Sequence, residues 1–349
     1  QWGIASLPHC LIASLPHCLV IPSGVPMDVP ARAVTLEAVR EAATRIYPVA
    51  RRTPMIRLDP IGRGEPEIFL KLEIFQPIGS FKLRGAVNAV AKLPASALAD
   101  GVWTVSAGNA AQGVALAARE AGAKASVLVM DTAPATKIAN IERLGATIHR
   151  ATYDECWKTV EEHRSDRMVG RFIHPFDDDD FICGNGTTAL EILDDVPDVD
   201  AVIASIGGGG LLAGIGCVMR ALKPDAKVYA AEPETAAPLA ASLAAGRPVR
   251  FDAWQASFVD GAGGRSVLPT MWPLLRNAVD HSIVVSLADT TAAMRLAAEQ
   301  CHIIAEGAGA CAMAAALSPL VRHAGHKRIV VVVSGGNIDL SRFTSLVTA

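Results

Sequence analysis

The sequence AVIASIGGGGLLAGIGCVM, residues 201–219, decides which fold the rest of the chain can adopt. It carries no charge over a length that could span a membrane, but four consecutive glycines in its middle would weaken a spanning helix. A buried strand at 202–206, a tight glycine loop and a helix at 211–222 explain the pattern better. The backbone N–H groups of such a loop, with the positive end of the following helix, form a cradle for an anion such as a phosphate.

The glycine loop does not have the signature of a nucleotide P-loop, because the GxxxxGK[ST] pattern is missing from the sequence. A dinucleotide loop can be fitted formally to the glycines, with Glu232 at the end of the next predicted strand as the acidic residue. A flexible or tightly packed turn without a ligand is a third interpretation. The residues favour a phosphate cradle and leave the other two interpretations open.

Strand and helix patterns alternate along the chain. Strands are predicted at residues 68–72, 102–105, 125–129, 147–149, 172–174, 202–206, 227–231, 283–285 and 328–333. Helices are predicted at residues 35–47, 82–93, 109–121, 135–144, 153–164, 211–222, 236–245, 290–300 and 309–317. The β-branched run at 329–333 is continuous rather than alternating, which is typical of a strand buried on both faces. This order predicts an α/β fold with mostly parallel sheets covered by helices.

The composition is that of a well-packed enzyme with a small ligand. The chain has 349 residues, enough for two domains or one large α/β unit, and 51% of them are hydrophobic. The net charge of −3 and the lack of a basic cluster argue against nucleic acid or a membrane surface as the partner. The seven cysteines are scattered and form no CxxC pair, which favours reduced thiols in a cytoplasmic protein.

The N-terminus contains an exact duplication. Residues 4–11 read IASLPHCL, and residues 12–19 repeat these letters. No Lys or Arg precedes Arg32, so the positive region of a signal peptide is missing. We expect residues 1–26 to be an artefactual or disordered extension, with Met27 as the natural start.

Three predicted strands end in loops of glycine and small polar residues. These loops are Ser106-Ala107-Gly108-Asn109, Gly207-Gly208-Gly209-Gly210 and Ser334-Gly335-Gly336-Asn337. Since ligands of parallel sheets bind beyond the carboxyl ends of the strands, we expect the loops to converge on one cleft. Lys82 begins a predicted helix, where nearby positive potential would lower the pKa of an amine. The residues alone leave it either a reactive lysine or an ordinary surface lysine.

Five motifs then occur in order along the chain. They are SFKLRGA at 80–86, SAGNAAQG at 106–113, GNGT at 184–187, GGGGLLAG at 207–214 and SGGN at 334–337. Together they resemble the fold type II enzymes that depend on pyridoxal 5′-phosphate (PLP), whose fold is that of the tryptophan synthase β subunit. The resemblance covers roughly residues 34–343 and is to the branch of threonine/serine dehydratases and serine racemases, with a phenylserine dehydratase-like member as one option.

The resemblance implies how the chain is divided and what it holds. It implies a large PLP-binding domain of residues 27–100 and 176–349, and a small mobile domain of residues 101–175 that closes over the substrate. Lys82 would carry the cofactor as a Schiff base. Members of this family are commonly dimers, so we expect a homodimer or a higher homo-oligomer.

The resemblance also assigns roles to the other motif residues. Phe81 would pack beside the cofactor ring, Asn109 would bind its phenolic oxygen, and Ser334 would contact its pyridine nitrogen. The cofactor phosphate would be held by the backbone of Gly207, Gly208, Gly209, Gly210 and Leu211. The substrate carboxylate would be bound by the loop of Ser106, Ala107, Gly108, Asn109 and Ala110. Glu306 would either line the edge of the cofactor ring or be only a helix-start carboxylate.

Two alanines depart from the family pattern. Serine racemases carry a serine at the position of Ala107 as the second acid/base, and alanine cannot transfer a proton, which favours a dehydratase. The family usually has histidine at the position of Ala110. Its loss predicts either a wider, less polar pocket for a bulky 3-substituent such as the aryl group of 3-phenylserine, or a neutral change.

We do not expect a metal site. The family often holds a divalent cation near Glu232, but Pro238 occupies the place of the second carboxylate, so Glu232 and Ala236 form only a weak candidate. The four aspartates at 177–180 indicate a solvated loop rather than a metal site. His174 and His302 have no partner at ligand spacing and are interpreted as structural.

The function that the resemblance implies is β-elimination. We expect a PLP-dependent dehydratase that converts an L-3-hydroxy amino acid (threonine, serine or 3-phenylserine) to a 2-oxo acid and ammonia, with Lys82 as the base that removes the α-proton. Racemisation and β-replacement on the same fold are the alternatives. Outside this chemistry, a non-catalytic binding protein and a nicotinamide dehydrogenase stay open.

Overall fold

The computed structural model describes residues 32–59, 62 and 65–348. The extension predicted for residues 1–26 lies outside this part of the chain. Within the described residues the chain forms ten strands, fourteen α-helices and two short 3₁₀ helices. The strands are β1 Met55–Arg57, β2 Glu67–Leu72, β3 Val102–Val105, β4 Ala125–Met130, β5 Thr147–Ala151, β6 Arg171–Phe172, β7 Ala201–Ser205, β8 Lys227–Pro233, β9 His281–Val285 and β10 Arg328–Val333.

The helices cover both sheets. They are α1 Leu36–Ile46, α2 Lys82–Ala91, α3 Ala95–Ala99, α4 Asn109–Glu120, α5 Ala135–Arg143, α6 Tyr153–Glu162, α7 Asp179–Asp195, α8 Gly210–Leu222, α9 Pro238–Ala245, α10 Trp272–Ala278, α11 Leu287–Cys301, α12 Gly307–Leu317, α13 Pro319–Arg322 and α14 Leu340–Val347. In the part of the chain that the structure describes, no helix is long and apolar enough to cross a membrane.

The strands form two sheets. The larger has the order β1-β2-β10-β7-β8-β9 and the smaller has the order β5-β4-β3-β6. Every pairing is parallel except β1 with β2. The predicted α/β class, with two mostly parallel sheets covered by helices, is confirmed. The boundaries of the two domains and the mobility of the small one stay predictions.

The central strands of the large sheet are buried on both faces. Along β10, Val330 and Val332 pack into a cluster with apolar residues of α7, α8 and α10. Ile329, Val331 and Val333 lie on the opposite face, in a cluster with apolar residues of α11 and α12. This two-sided burial is what the continuous apolar run indicated, because side chains of a strand alternate between faces.

The sequence did not predict helix α7, and packing against neighbouring helices explains why this segment is helical. It contains Gly184 and Gly186, which are poor helix formers. A Cβ at position 184 would lie 2.4 Å from the carbonyl oxygen of Arg84 in α2, and one at position 186 would lie 3.0 Å from that of Gly214 in α8. Close packing of three helix backbones therefore outweighs the low propensity of this segment.

The expectation of a solvated loop at 177–180 is wrong. Asp177 is buried and forms an ion pair with Arg32 at 2.8 Å. Asp178 accepts a hydrogen bond from the Phe181 amide at 2.9 Å and so caps α7, while the remaining two aspartates form its first turn. Acidic residues in this position stabilise a helix N-terminus, and the run therefore starts a helix. The predicted strand at 172–174 is likewise displaced to Arg171–Phe172.

Candidate active site

The three glycine and polar loops lie at the carboxyl ends of β3, β7 and β10 and line one cleft of about 750 Å³. Every residue predicted to bind cofactor or substrate lies in its wall. These residues are Phe81, Lys82, Ser106, Ala107, Gly108, Asn109, Ala110, Gly207, Gly208, Gly209, Gly210, Leu211, Glu306 and Ser334. Glu232 and Ala236 are not among the residues that line the cleft. The cleft thus brings four of the five motifs together at one edge of the large sheet, whereas GNGT at 184–187 lies inside α7 and does not line it.

The amine of Lys82 lies in an apolar environment within the cleft. Its Nζ donates a hydrogen bond to the carbonyl oxygen of Pro175 at 2.6 Å and lies 5.2 Å from the centre of the Phe81 ring. Burial lowers the pKa of Lys82 to about 8. The sequence predicted that positive potential at the helix start would lower the pKa of Lys82. In the structure the cause is desolvation, which disfavours the charged amine. The lowered pKa makes a neutral, proton-accepting amine available near physiological pH.

The glycine loop is held by aromatic and aliphatic packing. Gly209 has φ of +94°, a left-handed conformation that favours glycine. A Cβ at Gly208 would lie 2.1 Å from the Phe176 ring, so only glycine fits beneath that ring. Helix α8 begins at Gly210 without an acidic residue in its first turn, and its first N–H groups have no partners within the helix. This arrangement can bind a phosphate through backbone N–H groups and the helix dipole.

Asn109 belongs to a chain of side-chain hydrogen bonds in the cleft. Its Oδ1 accepts from Asn337 Nδ2 at 2.7 Å, and its Nδ2 donates to Glu306 Oε1 at 2.8 Å. Asn337 is in turn held by the carbonyl oxygen of Ile78 at 2.7 Å. Burial, and secondarily the charge of Asp260, raises the pKa of Glu306 to about 7. The structure therefore places Glu306 in the cleft wall as well as at the start of α12.

The loop of residues 106–109, which was predicted to bind the substrate carboxylate, is held by hydrogen bonds within itself and to β4. The Gly108 amide donates to Ser106 Oγ at 3.1 Å, and the Ser106 amide donates to the Leu128 carbonyl of β4. Asn109 then begins α4, so the loop ends on a helix N-terminus, where a carboxylate is favoured. Ala107 and Ala110 present methyl groups here.

Sequence reasoning missed several cleft residues. Pro175 contributes a backbone carbonyl, for which a sequence carries no signal. The sequence also contains no signal for Phe176 as a cleft residue. Asn337 belongs to the SGGN motif, but no role was assigned to it. Part of the cleft wall comes from β4 and α6, namely Leu128, Met130, Tyr153, Cys156, Trp157 and Val160. These residues were predicted only as parts of a strand and a helix.

Glu232 is satisfied by protein donors. Its carboxylate accepts from the Leu239 and Ala240 amides, each at 2.7 Å, and from Ser282 Oγ at 2.5 Å. Across residues 32–59, 62 and 65–348, no group of three His, Cys, Asp or Glu side chains could hold a metal ion. The residues around Glu232 therefore do not fit a divalent cation, because the start of α9 takes the place that a cation would need.

The sequence matches the family described as "Pyridoxal-phosphate dependent enzyme" over residues 46–335. The chain belongs to this family. Its fold type II architecture and its cofactor, PLP, are thereby confirmed, and the nicotinamide dehydrogenase alternative is wrong. The cleft fits the cofactor, because the Lys82 amine, the Asn109 amide and the α8 N-terminus line the same space.

Relatives place the enzyme in one branch of the family. It is 35% identical to the L-threonine ammonia-lyase of Thermotoga maritima over 90% of this chain and 78% of that protein. It is 36% identical to the serine racemase of Oryza sativa subsp. indica over 88% of this chain and 92% of that protein. The structure of maize serine racemase has a TM-score of 0.82 at 34% identity, covering 90% and 96% of the two chains. This PLP enzyme is thus a member of the threonine dehydratase and serine racemase group, as the motifs predicted.

Proposed function

We propose that this enzyme is a dehydratase (ammonia-lyase) that converts an L-3-hydroxy amino acid to a 2-oxo acid and ammonia. One observation carries the choice within the group. Ala107 puts a methyl group into the cleft wall at the position where the racemases that the sequence resembles carry a serine. Elimination needs one base, whereas racemisation needs proton transfer on both faces of the α-carbon. Lys82 supplies one base, and the Ala107 methyl cannot supply a second.

The side chains of the cleft divide the work of the proposed reaction. When bound, PLP withdraws electrons from the α-carbon of the amino acid joined to it, which acidifies the α-hydrogen. Lys82 would hold the cofactor and, once displaced by the substrate amine, take the α-proton at Nζ. The loop of residues 106–109 and the start of α4 would bind the substrate carboxylate. Phe81 would contact the cofactor ring, Ser334 its pyridine nitrogen, and the glycine loop with Leu211 its phosphate.

The products follow from the balance of atoms. Loss of the α-proton and the 3-hydroxyl as water leaves an enamine, which is released and tautomerises to an imine. Water then adds to the imine and ammonia leaves, so the net products are a 2-oxo acid and ammonia. This sequence consumes no redox reagent.

We further propose that a bulky, apolar 3-substituent fits the cleft, with L-3-phenylserine as the representative substrate. Ala110 is a buried methyl group where the family usually has an imidazole. Leu128, Met130 and Trp157 line the same cleft and provide apolar and aromatic surface. An aryl group would bury more apolar area against these side chains than the methyl group of threonine does.

A substrate panel tests the proposed function. L-threonine, L-serine and L-3-phenylserine are each incubated with the holoenzyme, and both the 2-oxo acid and the D-enantiomer are quantified. We expect 2-oxo acid as the main product, with the highest kcat/KM for phenylserine. A larger yield of D-enantiomer than of 2-oxo acid would overturn the proposal in favour of the racemase alternative, which the similarity to two plant serine racemases supports.

Two variants sharpen the assay. Ala110→His should lower kcat/KM for phenylserine more than for serine, because the imidazole refills the space. Lys82→Ala should abolish turnover and remove the adduct that borohydride traps; a trapped adduct on another lysine would contradict the role of Lys82.

The proposal also includes a cellular compartment and an oligomeric state. The five described cysteines are free thiols, which supports a reducing, cytoplasmic environment. We propose a homodimer on the basis of the family resemblance, and sedimentation analysis of the holoenzyme tests it.

A further inference from the structure

The acceptor of the Lys82 amine lies on a turn far away in the sequence. Lys82 Nζ donates to the Pro175 carbonyl oxygen at 2.6 Å across 93 residues of chain. The centre of the Phe181 ring lies 5.5 Å from the amine, at a distance similar to that of the Phe81 ring. Among the described residues, no carboxylate forms an ion pair with Lys82 Nζ. The Pro175 oxygen is thus the polar partner of this amine.

A buried histidine fixes the turn that carries this carbonyl. Nδ1 of His174 accepts from the amides of Phe176 and Asp177 at 3.2 and 2.7 Å. Because Nδ1 accepts two hydrogen bonds, the ring proton is on Nε2, which faces the Val160 carbonyl at 3.1 Å. Burial lowers the pKa of His174 to about 3, so the ring stays neutral and Nδ1 stays an acceptor at physiological pH.

The same turn is anchored beyond the histidine. Asp177 accepts from Arg32 at 2.8 Å and from Thr270 Oγ1 at 2.5 Å. The ring of Phe176 covers Gly208 of the glycine loop. The turn therefore has little freedom to shift its carbonyl groups relative to the lysine and the loop.

A carbonyl suits this position better than a carboxylate. A carboxylate beside the amine would favour its protonated form, and a protonated amine cannot take a proton from the substrate. A carbonyl oxygen orients one N–H of a neutral amine without supplying a full negative charge. The direction of that N–H then determines where the lone pair of the nitrogen lies.

We propose that the Pro175 carbonyl orients the free amine of Lys82 and that His174 is the positioning residue that holds this carbonyl in place. The inference rests on the proposed role of Lys82 as the base. From the sequence, His174 is interpreted as structural. In this proposal it does not touch the substrate but holds the turn that carries the Pro175 carbonyl.

Two substitutions of His174 separate positioning from folding. His174→Leu removes the acceptor, while His174→Asn keeps an oxygen near the place of Nδ1. His326→Asn is the control, because His326 is a half-buried histidine whose Nε2 lies 2.8 Å from the Tyr229 hydroxyl, away from the cleft.

The first measurement needs no substrate. PLP is mixed with cofactor-free protein, and the rate at which the lysine-adduct absorbance appears is followed at saturating PLP. We expect His174→Leu to slow this rate by up to about a hundredfold, the loss that displacement of a reacting group by about 1 Å can cause. His174→Asn should recover most of the rate, and His326→Asn should match the wild type.

The second measurement uses the best substrate of the panel, with hydrogen or deuterium at the α-carbon. A misdirected base should lower kcat with little change in KM and raise the isotope effect on kcat, whereas mere loss of folded protein lowers kcat without changing the isotope effect. An adduct rate and an isotope effect in folded His174→Leu that equal those of the wild type would overturn the inference, as would a His174→Asn variant that folds but forms the lysine adduct as slowly as is expected of His174→Leu. If the wild type turns over no 3-hydroxy amino acid, the proposed function fails, yet the adduct rate still decides the positioning role.

Discussion

Asn337 Nδ2 lies 2.7 Å from Asn109 Oδ1, and this contact determines which end of the Asn109 amide faces Glu306. An amide has two nearly isosteric ends, and only its nitrogen can donate to an oxygen of a ligand. Asn337 therefore selects the orientation in which the donor of Asn109 lies on the side of Glu306.

Replacing Asn337 should weaken binding of the cofactor. In Asn337→Ala, the Asn109 amide loses the donor that orients it, and we expect the Kd for PLP to rise about tenfold, the equivalent of one charge-assisted hydrogen bond. Titration of cofactor-free protein followed by absorbance measures this. Asn277→Ala, on the exposed face of α10, is the control, and equal Kd values for the two variants would contradict the prediction.

Glu306 should make the stability of the cofactor-free protein depend on pH. Its folded-state pKa, about 7, is above its ordinary value of 4.5. The folded protein thus holds this proton more tightly than the unfolded chain, and the resulting stability is complete below pH 4.5 and is lost as pH rises through 7. Glu306→Gln stays neutral, so its Tm should increasingly exceed that of the wild type between pH 5 and pH 8.

Thermal unfolding across this pH range measures the difference in Tm. Glu142→Gln, an exposed residue of α5, corrects for general charge effects. A difference between Glu306→Gln and the wild type that is constant with pH would show that Glu306 does not titrate there.

Glu232 should stabilise the start of α9 without a metal ion. Glu232→Ala leaves the Leu239 and Ala240 amides and the Ser282 hydroxyl without their acceptor, which should lower the free energy of unfolding by about 1–3 kcal/mol. Urea unfolding measures this, with exposed Glu299→Ala as the control. We also expect the wild-type Tm to be unaffected by a chelator; a drop that Mg²⁺ or Ca²⁺ reverses would show that a cation displaces the amides.

Arg84 should be essential for stability. Its guanidinium pairs with Glu73 at 2.8 Å and Glu191 at 2.6 Å, and the side chains are almost fully buried. Arg84→Met leaves two buried carboxylates with less compensation and should cost about 3–5 kcal/mol. Arg119→Met, which removes only an exposed pair with Glu120, should cost less than about 1 kcal/mol in the same urea experiment.

Much of the fold could be predicted because its signals are local. The strand at Arg328–Val333 was predicted with its true ends, since a continuous β-branched run has one stable environment. The glycine loop between β7 and α8 was also predicted at its observed position, because four consecutive glycines are a local signal for a break between strand and helix. Helix α7 was missed because its stability comes from contacts of Gly184 and Gly186 with other helices, which no local pattern records.

The residues of the candidate site also fall into those that local motifs indicate and those that only the fold brings together. Polar side chains of the cleft wall, such as those of Lys82 and Asn109, could be named from their motifs. The Pro175 carbonyl could not, because every residue has a carbonyl and only the folded turn determines which one meets the amine. The cause of the lowered pKa of Lys82 was also misjudged, since burial depends on residues distant in the sequence.

The glycines of α7 have a consequence for how this enzyme can change. Helix α7 packs against both α2, which begins at Lys82, and α8, which begins at the glycine loop. At Gly184 and Gly186 the backbone of α7 comes close enough to α2 and α8 that a side chain larger than hydrogen has no room. A single added methyl group at Gly184 or Gly186 would therefore force α2 or α8 away from α7, which couples the spacing of the cleft walls to these two positions.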